Sequence, residues 1–157
     1  MGQKTHPKGL RLEVNKNWSS NWFPKKNAYA TDLAQDIKLR KYLQKRLQDA
    51  SVASINIERT SQAITVTIHT ARPGIVIGRG GEEVSRLKKE VSKLCNTNDI
   101  HLNINEVKRP ELNAELVGQS IASQLVKKMA YRRVLNKTMQ STMRMGAEGI
   151  RINVAGR

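Results

Sequence analysis

The chain has 157 residues, of which 38% are hydrophobic and 4% aromatic, so we expect a modest and mainly aliphatic core. Its 28 lysines and arginines outnumber 13 acidic residues and give a net charge of +15. A polyanionic partner best explains this excess, with nucleic acid ahead of a membrane surface. The single cysteine excludes a disulfide within the chain, and the three histidines lack metal-ligand spacing. We therefore expect no metal, no cofactor and no membrane partner.

Residues 1–30 are predicted to form a basic N-terminal arm without a regular hydrophobic pattern. Trp18, Trp22 and Phe23 either pin this arm to a protein surface or stack on bases. Pinning is favoured because burial is the commoner use of an aromatic side chain. The cations of the arm are Lys4, Lys8, Arg11, Lys16, Lys25 and Lys26, and the first three are candidate RNA contacts.

A helix and two strands are predicted after the arm. Thr31 is a suitable N-cap, Asp32 matches the helix dipole, and apolar residues at near-helical spacing predict a helix over 32–49. Alternating apolar residues predict strands over 52–59 and 63–70, joined as a hairpin by residues 60–62.

A glycine cluster, a second helix and a third strand follow. Apolar residues from Val84 to Leu94 recur in steps of three and four, and residues 99–106 alternate as a strand does. The order of elements predicts a two-layer α+β domain over residues 31–109, with helices on one face of the sheet. Because the third strand returns after a helical crossover, the three-stranded sheet should be mixed.

The glycine cluster Gly78-Arg79-Gly80-Gly81 fits one of three phosphate-binding loops. It lacks the G-x-G-x-x-G spacing of a dinucleotide site, and no Lys-Ser/Thr pair follows as in a P-loop. It does fit the G-x-x-G loop of KH nucleic-acid-binding domains.

Glycines let a sugar-phosphate backbone approach the main chain, and Arg79 adds two phosphate donors. Glu82 and Glu83 oppose this reading, because they occupy the helix start where a phosphate would lie. The alternative for this stretch is a plain turn and helix start.

A long basic helix is predicted from Pro110, over residues 110–140. No acidic residue lies between Glu115 and Glu148, whereas exposed helix faces normally mix charge signs. Phosphate contact is therefore favoured over a merely solvated face. The candidate cations, arranged as two neighbouring ridges, are Lys127, Lys128, Arg132, Arg133 and Lys137. Gly146 and Gly149 should end the helical pattern before a strand beginning at Ile150, within residues 141–157.

Four stretches together resemble one family. MGQKTHPKGLRL, TIHTARPGIVIGRGGEEV, KRPEL and YRRVLNKTMQSTMRMGAEGIRINVAGR, in this order, are similar to the bacterial-type ribosomal protein number three of the small subunit. The resemblance covers essentially the whole chain and is more specific than the G-x-x-G pattern alone.

The resemblance implies a KH domain of the second type, bound to ribosomal RNA in the head of the small subunit. It implies neighbouring small-subunit proteins ten and fourteen, and a basic surface where messenger RNA enters and is unwound. The matching positions are Arg132 and Arg133. The family's third basic position holds Asn136 here, so this contact is either missing or supplied by Lys137.

Members of this family continue beyond residue 157 into a second α/β domain, of which only the first strand is expected here. The chain is therefore expected to be a fragment, or the remainder is encoded elsewhere. The expected location is the ribosome of the cytoplasm, with an organellar ribosome as the alternative.

Two other functions compete with the ribosomal one. A free-standing KH regulator of single-stranded RNA would share the same loop. An RNA-cleaving enzyme could be imagined with Glu82, Glu83 and His69 or His101 as acid and base. The adjacent glutamates, however, would point about 100° apart on a helix, so no catalytic residue is expected.

Overall fold

A computed structural model describes residues 3–25, 27–60, 62–97 and 99–156. Lys26 of the predicted arm, Ser61 of the predicted hairpin loop and the terminal Arg157 lie outside the described residues. The helices and strands, in chain order, are α1 (Pro7–Leu10), β1 (Ser20–Asn21), α2 (Tyr29–Arg46), β2 (Val52–Arg59), β3 (Ile64–Thr70), α3 (Pro73–Ile77), α4 (Glu82–Cys95), β4 (Ile100–Glu106), α5 (Ala114–Val126) and α6 (Tyr131–Arg144).

The sheet is mixed, as predicted, but it has four strands in the order β1-β2-β3-β4. β2 and β3 pair antiparallel, and β4 pairs parallel to β3 after the α3–α4 crossover. The additional strand comes from the arm, where Ser20 and Asn21 pair parallel with Ile57 and Glu58 of β2. A strand of two residues is too short to produce an alternating pattern, which explains why the sequence did not predict it.

The core lies between one face of the sheet and the helices α2 and α4. Ile57, Val66, Ile68 and Ile100 of the strands are fully buried. Their helical partners include Leu39 and Leu43 of α2 and Leu87 and Val91 of α4. Each such aliphatic side chain contributes roughly 1.5–3 kcal/mol on burial, so this aliphatic layer accounts for the cohesion of a chain with few aromatic residues.

A buried carboxylate anchors the arm to this domain. Asp36 of α2 is 2% exposed, and its Oδ1 lies 2.7 Å from Nη2 of Arg59. Its Oδ2 accepts hydrogen bonds from Trp22 Nε1 at 2.7 Å and from Ser20 Oγ at 3.1 Å. The Arg59 guanidinium also lies over the Trp22 ring, 5.8 Å from its centroid. One side chain of α2 therefore joins β1 and β2.

Pinning of the arm thus rests on one aromatic residue. Trp22 is half-buried and also packs against Tyr29, with ring centroids 5.8 Å apart. Trp18 and Phe23, in contrast, are 58% and 99% exposed. The prediction that aromatic side chains pin the arm holds for Trp22, whereas the other two rings stay available to a partner.

The predicted N-cap at Thr31 is wrong, because α2 begins at Tyr29, three residues earlier than predicted. Ala28 occupies the cap position and makes no side-chain cap bond. The Thr31 hydroxyl instead donates to the Ala28 carbonyl at 2.7 Å, within the first turn. Asp32 does lie in that turn, as predicted.

The long basic helix predicted from Pro110 is divided into a short 3₁₀ turn at Pro110–Leu112 and the helices α5 and α6. Asn113 caps α5 by accepting from the amides of Glu115 and Leu116. Helix α5 ends in a Schellman motif, in which Lys128 N donates to Leu125 O and Met129 N to Gln124 O. Lys128 takes the left-handed position of this motif, with φ of 58°.

Lys128→Gly should raise the free energy of unfolding by about 1 kcal/mol. Glycine adopts the left-handed conformation without the steric cost that a lysine Cβ brings. The measurement is the urea midpoint of the variant against that of Lys127→Gly, whose φ of −75° gives glycine no such advantage. Equal shifts in the two variants would contradict the role assigned to the left-handed residue.

The predicted strand beginning at Ile150 does not form within the described residues. Gly146, with φ of 90°, ends α6 as expected. Residues 149–153 then run without regular structure along α5, where Ile150 and Ile152 share a cavity lining with Ile121.

Candidate nucleic-acid interface

The G-x-x-G loop lies between α3 and α4. The sequence predicted the helix that follows the loop, but it did not predict α3 between β3 and the loop. Gly78, Gly80 and Gly81 all have positive φ, of 72°, 63° and 80°. At Gly80 and Gly81 an added Cβ would meet no atom within 4 Å, so these glycines leave an open main-chain surface. Arg79 is exposed at the tip of this loop. The loop therefore offers an accessible backbone and the exposed guanidinium of Arg79.

The two glutamates that oppose phosphate binding are paired with arginines. Glu83 lies 2.9 Å from Arg46 of α2 and 3.2 Å from Arg86 of α4, and Glu82 lies 3.6 Å from Arg86. Each pair is substantially exposed and contributes at most about 1 kcal/mol. Arg46 and Arg86 nevertheless offset the negative charge of the two glutamates beside the loop. The objection that these glutamates repel a phosphate at the helix start is therefore weaker than the sequence suggested.

Behind this loop, α2 and α4 are joined by a tyrosine. Tyr42 donates its hydroxyl proton to Glu90, and Arg46 approaches the same carboxylate to 3.9 Å. Burial, followed by the neighbouring Glu90, raises the pKa of Tyr42. The hydroxyl therefore remains a hydrogen-bond donor at neutral pH, and the helix carrying the loop stays fixed against α2.

The second candidate surface lies around α6. Arg132, Arg133 and Lys137 are all exposed on this helix, and the last two lie one turn apart. Lys127 and Lys128 occupy the connection between α5 and α6, so the helical ridge predicted to join Lys128 to Arg132 does not exist. The cations of this region are divided between a loop and a helix face.

Tyr131 belongs to this surface and was missed by sequence reasoning. Tyr131 is 54% exposed, and the Arg132 guanidinium lies 5.7 Å from the centroid of its ring. Arg132 Nε also donates to the Tyr131 hydroxyl at 3.1 Å. An aromatic residue next to two arginines at a helix start was the available signal, because such pairs combine stacking with charge.

The N-terminal candidates are exposed, and one of them reaches the rest of the fold. Lys4, Lys8 and Arg11 all face solvent, and Arg11 donates to the Pro7 carbonyl at 2.8 Å. Lys8 lines a cleft that also contains Lys127. The structure therefore brings together one cation from the arm and one from the α5–α6 connection.

Neither a metal-binding cluster nor a membrane-spanning helix is found among the described residues, and the Cys95 thiol is buried. Throughout residues 3–25, 27–60, 62–97 and 99–156, no group of three or more His, Cys, Asp or Glu side chains is arranged to hold a metal ion. In the same ranges, every helix is too short or too polar to cross a bilayer. Burial raises the pKa of the Cys95 thiol, which therefore packs as a small neutral side chain.

Two family models match the chain. The first is described as "KH domain" and matches residues 38–112, and the second as "Ribosomal protein S3, C-terminal domain" and matches residues 121–157. The KH fold expected from the G-x-x-G loop is thereby confirmed. The second model begins within α5, so the helices α5 and α6 correspond to the start of that domain.

Similar proteins in three bacteria carry the name small ribosomal subunit protein uS3. The relative in Desulforamulus reducens is 49% identical over all of this chain and 71% of its own length. Those in Ligilactobacillus salivarius and Lactobacillus johnsonii are 46% and 49% identical, over 71% and 70% of their lengths. All three names describe a ribosomal protein, in agreement with the prediction of a non-enzyme. The chain belongs to the uS3 family of small ribosomal subunit proteins.

Proposed function

We propose that this chain is a structural component of the small ribosomal subunit that binds ribosomal RNA through charge and shape. The supporting observation is the exposed α6 surface, in a chain segment without acidic residues from 116 to 147. Cations on such a surface displace counterions from phosphates, which provides sequence-independent affinity. The proposed location is the ribosome of the cytoplasm, with small-subunit proteins ten and fourteen as neighbours.

The finer part of the proposal concerns messenger RNA. Arg132 and Arg133 stand in the first turn of α6 with exposed side chains, and no ion pair engages them among the described residues. We propose that they contact messenger RNA where it enters and assist its unwinding. Lys137 lies one turn beyond Arg133, which supports it as the third contact in place of Asn136.

Replacing Arg132 and Arg133 together with alanine should weaken binding to single-stranded RNA about tenfold. Each lost phosphate contact also reduces the slope of log affinity against log salt, by roughly 0.7 per contact. Fluorescence anisotropy over a salt series measures both quantities. Ribosomes carrying the double variant should advance more slowly than wild-type ribosomes through messages with hairpins. On unstructured messages the two kinds of ribosome should advance at the same rate.

The matched control is Lys108→Ala with Arg109→Ala, an adjacent and exposed cation pair outside α6. Hairpin-containing messages translated at the same rate by the α6 double variant and wild type would refute the unwinding role. Sedimentation separates the alternative: a free-standing KH regulator, whose exposed Arg79 loop would suit single-stranded RNA, would be found only in ribosome-free fractions.

Tyr131→Leu should lower affinity for single-stranded RNA about threefold, whereas Tyr131→Phe should fall between Leu and wild type. The Arg132 guanidinium lies over the face of the ring. An exposed cation–π pair contributes roughly 0.5–1 kcal/mol of interaction free energy. Phenylalanine keeps this ring and loses only the hydroxyl that accepts from Arg132. Identical affinities for all three proteins would show that the ring does not position Arg132.

A further inference from the structure

Two neighbouring clefts form one groove between the KH domain and the α5–α6 pair. The first, of about 810 Å³, lies between the end of α2, the start of β2 and α5, and includes Lys8 and Lys127. The second, of about 480 Å³, lies between α5, α6 and the end of β3, and includes Lys137. Because Ser51, Arg72 and Ser120 line both clefts, the two are continuous, and we call them the basic groove.

The junction of the basic groove is held by a buried threonine. Thr70 is fully buried; its hydroxyl donates to the Ala50 carbonyl at 2.6 Å and accepts from the Arg72 amide at 3.1 Å. The next residue, Ala71, donates its amide to the Ser51 carbonyl at 3.1 Å. The main chain of Arg72 is therefore fixed beside Ser51, while the Arg72 side chain projects into solvent.

The opposite wall is tied to the sheet by a glutamine. Gln119 of α5 donates from Nε2 to the carbonyl of Val52 at 2.9 Å, across the first cleft. Arg40 stabilises the near wall by donating to the Ser19 carbonyl at 2.6 Å and to Ser20 Oγ at 2.7 Å. The groove is thus framed by bonds between the KH domain, the arm and α5.

The lining of the basic groove suits a sugar-phosphate chain. Lys8, Arg72, Lys127 and Lys137 are exposed, and within the described ranges none of them forms an ion pair with the lining acids. Those acids are Asp49, Glu111 and Glu115, so the positive excess is modest. Much of the remaining lining consists of hydroxyl and amide side chains, which bind phosphate and ribose oxygens.

We propose that the basic groove binds a segment of single-stranded RNA. Arg72 at the junction and the lysines at either end contact successive phosphates, and the serines of the lining meet the ribose hydroxyls. The proposal rests on the proposed function only in that this chain binds RNA; it assigns that RNA a path through Arg72 and Lys127, and this path meets the Arg132–Arg133 surface only at Lys137. Arg72 is the residue that both halves of the path share.

The test removes two cations from the groove and two from elsewhere. Arg72→Gln with Lys127→Gln should weaken binding of a fluorescent single-stranded RNA about tenfold and reduce the salt slope by roughly 1.4. The matched variant Lys89→Gln with Lys93→Gln removes the same charge from exposed positions of α4 and should lose less than threefold. Equal losses in the two variants would mean that affinity follows total charge, which would overturn the groove.

A second measurement does not depend on these variants. Photocrosslinking of wild-type protein to RNA containing 4-thiouridine should modify residues 115–127, which comprise most of α5 and Lys127 and which line the groove. Crosslinks confined to other segments would overturn the proposal. Polyglutamate tests the alternative that the groove binds an acidic protein segment. That alternative would replace the proposal if polyglutamate displaced the RNA from the wild-type protein and the groove variant lost polyglutamate binding but kept RNA binding.

The two RNA surfaces fail independently. A loss of affinity in the Arg132–Arg133 variant with none in the groove variant would reject only the groove. The reverse result would support the groove and reject the surface on α6.

Discussion

Asp36→Ala should lower the free energy of unfolding by about 3–5 kcal/mol, the largest effect that we expect from a single substitution in this chain. The change leaves the Arg59 guanidinium, with a side chain only 10% exposed, without its closest carboxylate. It also removes the acceptor of Trp22 Nε1 and of Ser20 Oγ. Asp32 at 3.4 Å and Gln35 at 3.0 Å remain as partners of Arg59, but they replace only part of the lost contact. Removing one partner of a buried ion pair costs more than the pair itself contributes to stability.

Urea unfolding measures this loss, and Trp22 fluorescence in a Trp18→Phe background reports whether the arm leaves the domain. Asp32→Ala is the matched control, because Asp32 lies 3.4 Å from the same arginine but its side chain is 28% exposed. Its cost should be no more than about 1 kcal/mol. If both variants shifted the urea midpoint equally, the buried carboxylate would not be the anchor.

Gly78→Ala should cost about 3 kcal/mol and should weaken RNA binding by the G-x-x-G loop. Gly78 has φ of 72° and ψ of −179°, a conformation that is almost confined to glycine and costs other residues roughly 1–3 kcal/mol. A Cβ there would also lie 2.6 Å from Cγ and 2.8 Å from Cβ of Glu83. Relieving this clash would move Glu83 away from Arg46 and shift the start of α4.

Gly80→Ala is the matched control for backbone strain without a clash. Its φ is also positive, at 63°, but an added Cβ would meet no atom within 4 Å. We expect a cost of about 1 kcal/mol, typical of a left-handed residue. Thermal unfolding of both variants decides the issue: a Gly78→Ala protein as stable as Gly80→Ala would show that the loop tolerates a side chain at its first glycine.

The strands and the packed helices were predictable because their patterns are local. The alternation of Ile55 with Ile57, and of Ile64 with Val66 and Ile68, sets which face of each strand enters the core. The buried positions Leu87 and Val91 repeat at helical spacing. In both strands and helices, the repeat of apolar residues is visible within a few positions, and the repeated residues are the ones buried in the core between the sheet and the helices.

The features that sequence missed depend on distant contacts. Ser20 and Asn21 become a strand only because Ile57 and Glu58 present a free edge beside Asp36. The long helix predicted from sequence is interrupted at Lys128, where the chain contains neither glycine nor proline. Lysine rarely adopts the left-handed conformation, so the sequence gives no local indication that the helix ends there. The start of α2 at Tyr29 likewise has no capping side chain.

The candidate sites were predictable as residues but not as surfaces. The sequence named Lys8 in the arm and Lys127 and Lys137 in the predicted long helix, and the structure places all three along one groove. Arg72 was not singled out, because its role arises from the buried Thr70 that fixes its main chain. Spacing along a chain reveals neighbours on one element, whereas a groove between elements requires the tertiary structure.

The short strand β1 has a consequence for the order of events during synthesis. Its partners in β2 lie about 37 residues later in the chain, and Asp36 and Arg59 also follow it. A chain made from its N-terminus therefore exposes the cationic arm before any docking site for it exists. The arm is made before its docking partners and is ordered after them, so during that interval it is free to meet RNA. Contacts of such long sequence separation form late.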